Sequence, residues 1–195
     1  MKRRRIRWGR IVFILLLLTL LPVGGRWAWE KLTDTRILIA LDAGHGGNDP
    51  GATGFVDETF LTETTVEALA ELLEHDPSYR VLLCRELDEG ADVNSRWRKA
   101  NAHHAELLLS VHGNSSEDPT AAGFEVYPSP PGRQYHEESF RFASLVADRM
   151  GETGIRLRGE GGIRYAYYID NVKNLVDPSA ELPDAPSFAM VDYPE

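Results

Sequence analysis

The sequence predicts an α/β domain: a central, mostly parallel or mixed sheet of about six strands flanked by helices, preceded by an N-terminal hydrophobic segment. Three observations carry this. Short, largely apolar runs recur at residues 37–41, 79–84 and 107–111, the length and composition of buried strands. The stretches between them place apolar residues at helical spacing, and strands alternating with helices describe a largely parallel sheet. At 195 residues and 43% hydrophobic content, with no internal repeat, the chain closes one ordinary core.

Taken in order, residues 37–41 form a buried strand that runs into Asp42-Ala43-Gly44-His45-Gly46-Gly47-Asn48-Asp49-Pro50-Gly51, a composition that ends the strand in a loop. From 59 to 73 the period becomes helical, with Leu61, Ala68, Leu69, Leu72 and Leu73 on one face and Glu63, Glu67 and Glu71 away from it. Glu58 falls in the first turn, aimed back at the loop. His75-Asp76-Pro77 ends this helix, and residues 79–84 make the next strand. Asp92 or Asn94 caps a second helix that carries Trp97 and Ala100 inward and leaves Arg96, Arg98 and Lys99 more exposed. Residues 107–111 are a third strand ending at His112-Gly113-Asn114, and 123–127 a fourth. Pro128-Ser129-Pro130-Pro131-Gly132 breaks the chain before a helix over 137–150 with Phe142, Leu145, Val146 and Met150 on one side.

Charge excludes one class of partner. Lys2, Arg3, Arg4, Arg5, Arg7 and Arg10 are 6 of the 21 basic residues, and the remaining 15 face 30 acidic ones, so the body of the chain is strongly acidic and would repel phosphate backbones. Nucleic acid is therefore not an expected partner. Behind the basic cap, residues 11–23 are apolar, the layout of a signal peptide or signal anchor over residues 1–30, with the body exported to the extracytoplasmic face, periplasm or wall. Val23 and Gly25 suit a cleavage site, whereas Trp27 and Trp29 suit an uncleaved membrane anchor; both remain open. The single cysteine, Cys84, lies in an aliphatic run and reads as a buried hydrophobe with no disulfide partner.

The residues with chemistry are His45, Glu58 and His112. Two histidines that each follow a strand end by a few residues meet at the carboxyl edge of an α/β sheet, where ligands bind, and the intervening loop returns Glu58 to the same edge. Two imidazoles and a carboxylate are the protein half of an open zinc site, in which bound water has its pKa lowered to about 7. Taken singly, each has a duller reading: a loop histidine, a carboxylate at a helix N-terminus, a strand-end histidine on a backbone carbonyl. Their convergence favours metal-assisted hydrolysis. His75, His103, His104 and His136 sit among charges or on helix surfaces and read as solvated. Gly44, Gly46, Gly47 and Gly51 lack the order of either phosphate-binding glycine motif, and no G-x-S-x-G elbow is present.

These residues carry a resemblance. The run Leu41-Asp42-Ala43-Gly44-His45-Gly46-Gly47, then Asp49-Pro50-Gly51, Glu58, Arg85, Asp88, Arg96, Ala100-Asn101, Ser110-Val111-His112-Gly113-Asn114-Ser115 and Gly123-Phe124-Glu125-Val126-Tyr127 resembles the zinc-dependent N-acetylmuramoyl-L-alanine amidases of the Amidase_3 type, over roughly residues 37–150. The resemblance implies that His45, Glu58 and His112 ligate Zn2+, that Asn114 contributes to substrate binding, and that the substrate is peptidoglycan, cut between muramic acid and L-alanine by an exported, monomeric autolysin. The catalytic domain would span 36–195.

The departure is at the carboxyl end, where amidases of this type carry a catalytic glutamate in a late strand. Either Asp192 stands in for it, or residues 188–191 are the preceding strand and the sequence stops short of the segment, lacking its last strand and helix. A catalytically impaired wall-binding or regulatory protein is the alternative function. A zinc carboxypeptidase is disfavoured, because the 13 residues from His45 to Glu58 exceed the short spacing usual there.

Overall fold

The structure is a computed structural model, and it describes residues 34–116, 120–169, 172–181 and 188–189. The hydrophobic segment at 1–30 and Asp192 lie outside the described residues. Among those described, no helix is long and apolar enough to cross a membrane. The chain divides into two compact units at Asn114/Ser115.

In the first unit, strands β1 (Ile37–Ala43), β2 (Tyr79–Leu83) and β3 (Leu107–Val111) form a parallel sheet in the order β2-β1-β3. Ile37 pairs with Tyr79 on one side of β1, and Ala43 pairs with Val111 on the other. The two connections are helices α1 (Glu58–Glu74) and α2 (Val93–Ala102). Alternation along β1 sorts its side chains onto two faces. Ile39, Leu41 and Ala43 pack with Val66, Leu69, Ala70 and Leu73 of α1, whereas Ala40 joins Cys84 and Ala100 of α2 on the opposite face. Burial pushes the Cys84 thiol up to about 12, so it stays protonated as the sequence reading of an inert hydrophobe requires. Because the chain passes from β1 out to β2 and back across to β3, the carboxyl ends of β1 and β3 flank a point where the connections diverge, the usual place for a ligand crevice.

The helices exist where periodicity puts them, but their inward faces differ from expectation. In α1 the buried residues are Glu58, Thr62 and Val66, one residue every helical turn, while Leu61 and Leu72 are exposed. In α2, Asp92 is the cap, its carboxylate accepting from the Ser95 amide at 3.0 Å, and Arg96 is buried rather than exposed. Each polar residue turned inward has partners there, which a pattern scored on hydrophobicity does not register.

The second unit contains α3 (His136–Glu152), β4 (Tyr165–Ile169), β5 (Val172–Val176) and β6 (Phe188–Ala189), the strands forming an antiparallel sheet in the order β5-β4-β6. The six described strands therefore form two sheets of three rather than one sheet of about six. Residues 123–127 pair only through isolated bridges, Phe124 with Leu157 and Val126 with Ile163, so the expected fourth strand does not extend the parallel sheet. Helix α3 buries Ala143 and Ala147, small residues that allow close approach, and leaves Leu145 exposed. Tyr165 and Tyr167 are buried and pack with Phe140 and Val176, which makes them core residues.

Candidate metal centre

The site lies wholly in the first unit, at the carboxyl edge of β1 and β3. Where β1 ends, the Gly44 amide donates to the Val111 carbonyl at 2.9 Å, so the two strands stay locked together up to the residues that carry the histidines. His112 then follows β3 directly. The loop from 44 to 57 closes on itself, with Gly46 and Asp49 exchanging both backbone hydrogen bonds, and it also terminates α1. The amides of Glu58 and Thr59 donate to the carbonyls of Ala52 and Pro50, which satisfies helix-end donors that Asp57 leaves uncapped. Loop and helix are thus one piece, and this brings Glu58 back beside His45.

One ligand atom from each of His45, Glu58 and His112 lies within 4.8 Å of the others. His45 Nε2 is 3.2 Å from Glu58 Oε2, and His112 Nδ1 is 3.2 Å from Glu58 Oε1. The two rings meet edge to face, 5.0 Å between centroids and 80° between planes. Tetrahedral ligands held roughly 2.1 Å from a zinc ion stand about 3.4 Å apart, so the donor set fits a single ion of that kind.

The surroundings prepare each donor. His45 Nδ1 is 2.9 Å from Asp49 Oδ2, so the ring presents Nε2 inward when Nδ1 carries the proton, and the other Asp49 oxygen accepts from the Gly51 amide at 3.0 Å. The Glu58 carboxylate is buried, which by itself would raise its pKa. The Ala52 and Gly113 amides donating at 3.0 and 2.7 Å, together with the adjacent histidines, outweigh this and bring it down to about 2. It is therefore ionised at neutral pH. His112 has 41% of its side chain open, but crowding on its inner edge removes solvent and lowers its pKa, which keeps the ring neutral and able to donate a lone pair.

Two glycines are required by contact. A Cβ on Gly44 would lie 2.4 Å from His112 Cε1, and one on Gly51 would lie 2.6 Å from His45 Cδ2. His45 itself has φ of 63°, a left-handed conformation that costs a side-chain-bearing residue about 1–2 kcal/mol. Strain of that kind is held by neighbouring contacts.

The sequence model for N-acetylmuramoyl-L-alanine amidases, Amidase_3, matches residues 39–172. The chain belongs to the Amidase_3 family. A sporulation-specific N-acetylmuramoyl-L-alanine amidase of Bacillus subtilis (strain 168) is 38% identical over 96 residues, 48% of this chain and 36% of its own length. The endolysin of Bacillus phage SPP1 is 34% identical over 127 residues, 63% of this chain and 46% of its own. Among solved structures, the N-acetylmuramoyl-L-alanine amidase from Clostridium difficile 630 superposes with a TM-score of 0.58 at 27% identity, covering 66% of this chain and 69% of that one. This Amidase_3 chain spans less than half the length of these two curated relatives.

Of the residues singled out from the Amidase_3 resemblance, the fold brings His45, Glu58 and His112 together. Asn114 stands two residues beyond His112, exposed and left-handed at φ 55°. His75, His103 and His104 are exposed, and His136 is half-buried with Nδ1 2.8 Å from the Ser129 carbonyl. Sequence reasoning named Arg85 only as a matched position and placed Arg96 among the exposed residues of its helix; both prove to be buried beside the site. Their signal was an arginine directly after one strand and another on a helix face that also carries Ala100.

Proposed function

We propose that the chain is a zinc-dependent hydrolase of the amide joining N-acetylmuramic acid to L-alanine in peptidoglycan. The observation that carries this reading is the convergence of His45, Glu58 and His112 in a chain of this family. Zinc bound there supplies a Lewis acid and lowers the pKa of a coordinated water towards 7. The protein's own part is to present Nε2 of His45 through Asp49, to keep Glu58 ionised through two backbone amides, and to hold His112 neutral. Hydrolysis adds water across the amide, leaving a lactyl carboxylate and a free L-alanine amine. Proton transfer from water to that amine needs a carboxylate, and Asp192, outside the described residues, is our candidate for it; Asn114 is our candidate for substrate contact.

Peptidoglycan lies outside the cytoplasmic membrane, so we assign residues 1–30 to export or anchoring, residues 36–195 to the catalytic domain, and the working form to a monomer. The charge and hydropathy of residues 1–30 support the first of these. Purified full chain supplied with zinc should release new L-alanine amino groups from cell-wall sacculi, and His45→Ala should reduce release to the buffer blank. Sacculi retained on the zinc-loaded chain without any product would instead make it a wall-binding protein, and cleavage confined to free stem peptides would make it a peptidase.

A further inference from the structure

Two buried cations have no task in the reading above. Arg85, two residues beyond β2, is 3% exposed and Arg96, on α2, is 8% exposed, and they converge on one short piece of backbone. The Ala43 carbonyl accepts from Arg85 Nε at 2.9 Å and from Arg96 Nη1 at 2.6 Å. The Gly44 carbonyl accepts from Arg85 Nη2 at 3.3 Å, and the His45 carbonyl accepts from Arg96 Nη2. Three successive carbonyls are thus turned towards guanidinium donors at the point where the chain leaves an extended strand for the left-handed conformation of His45.

The arginines are themselves held. Arg85 Nη1 donates to Glu63 at 2.6 Å and to the carbonyls of Glu86 and Glu89. Arg96 Nη1 also donates to Asp42 Oδ1 at 2.9 Å, the other Asp42 oxygen accepts from the Ser110 hydroxyl at 2.7 Å, and Arg96 Nε donates to the Ala91 carbonyl. Burying two cations is unfavourable unless their donors are used, and here four of their nine hydrogen bonds go to the backbone of Ala43, Gly44 and His45. A lysine keeps the charge but has no planar fork to span adjacent carbonyls. Arg80 offers the contrast: it pairs with Asp34 at 3.1 Å near the start of β2 and touches no ligand-bearing backbone.

We propose that Arg85 and Arg96 are positioning residues of the metal centre, clamping the carbonyls of Ala43, Gly44 and His45 so that the His45 ring is pre-set towards Glu58 and His112. The inference rests on the reading of His45 as a ligand. It is tested on the full chain in mild detergent by zinc affinity, measured by competition with a chelator of known strength, alongside the thermal midpoint of the metal-free protein.

At a temperature where each protein is folded, R85K and R96K should each weaken zinc binding about 10- to 100-fold, the usual effect of losing an outer-shell partner, whereas R80K should stay within about twofold of wild type. Release of amino groups from sacculi by R85K and R96K should recover as zinc is raised. A role in stability alone would lower the midpoint and leave zinc affinity untouched. Unchanged affinity in both variants, or an equal loss in R80K, overturns the proposal. Should R85K and R96K fail to fold, S110A loosens only Asp42 and should weaken zinc about threefold, with no change counting against the clamp. Wild-type protein that binds no zinc would sink the metal reading itself, whereas a zinc-binding wild type with indifferent arginine variants would sink only the clamp.

Discussion

The two units bury different chemistry. The first buries Asp42, Glu58, Thr62, Arg85 and Arg96, all near the carboxyl edge of its sheet, where each has named hydrogen-bond partners. The second is closed by a pair of buried tyrosines, Tyr165 and Tyr167, against Phe140 and Val176. Its cations stay nearer solvent: Arg158 and Arg164 are 26% and 22% open while they reach the buried Glu125 carboxylate, 4% open, and Arg164 also meets Asp177. Apolar contact suffices to hold a fold, so charge gathered in an interior needs another reason. On our proposal for Arg85 and Arg96, that reason is the setting of His45 towards Glu58 and His112.

The comparison is broken most directly at Glu58. Glu58→Gln keeps the shape and removes the charge, and it should weaken zinc binding by more than about 100-fold, measured by chelator competition. The same variant tests the pH behaviour of the metal-free protein. Glu58 is lowered from 4.5 to about 2 in the folded state, so its stabilising contribution is fully present above pH 4.5 and is lost as pH falls from there through 2. Solvent at the mouth of the site screens part of the effect, which leaves about 2 kcal/mol, and urea midpoints across this window should fall less steeply in Glu58→Gln than in wild type.

A core substitution in the second unit should act on stability alone. Tyr167→Ala should cost about 3 kcal/mol in urea denaturation, with the zinc affinity of the folded protein unchanged. A matching loss of zinc would show that the separation of tasks between the units is false.

The gentlest contrast uses glycines. Gly44→Ala drives a methyl into the His112 ring and should weaken zinc binding by about tenfold, as an overpacked interior costs roughly 1–3 kcal/mol. At Gly132 of the second unit a Cβ meets nothing within 4 Å, and only its φ of 88° opposes a side chain. Gly132→Ala should therefore cost about 1 kcal/mol by thermal melt and leave zinc alone.

Much of the first unit was legible from pattern. The β1, β2 and β3 runs are largely apolar, β1 buried between them and β2 and β3 half-buried, with apolar clusters on both faces of the sheet, and the β1 run ends in residues that cannot continue a strand. His45, Glu58 and His112 could be grouped because the carboxyl ends of parallel strands share an edge. The inward faces of the helices were less legible. Leu61 and Leu72 were expected inside and are exposed, while Thr62 and Arg96 are inside, because Thr62 donates to the Gly44 carbonyl at 2.9 Å and Arg96 to three carbonyls and Asp42. Hydrophobic periodicity is silent about hydrogen-bond partners that come from another element. The second unit was read least well, since residues 123–127 alternate like a strand yet find only single bridges.

The sequence by itself determined the alternation of strand and helix, the acidic body, the membership of Cys84 in the core, and the grouping of His45, Glu58 and His112 at one sheet edge, because each follows from local composition or from the order of strands and helices. Tertiary structure alone decided the division into two three-stranded sheets, the burial of Arg85 and Arg96, and the left-handed setting of His45. These depend on which carbonyls and carboxylates arrive from 40 or more residues away, as Arg85 and Arg96 do at Ala43, and on the low tolerance of a protein interior for a charge without a partner.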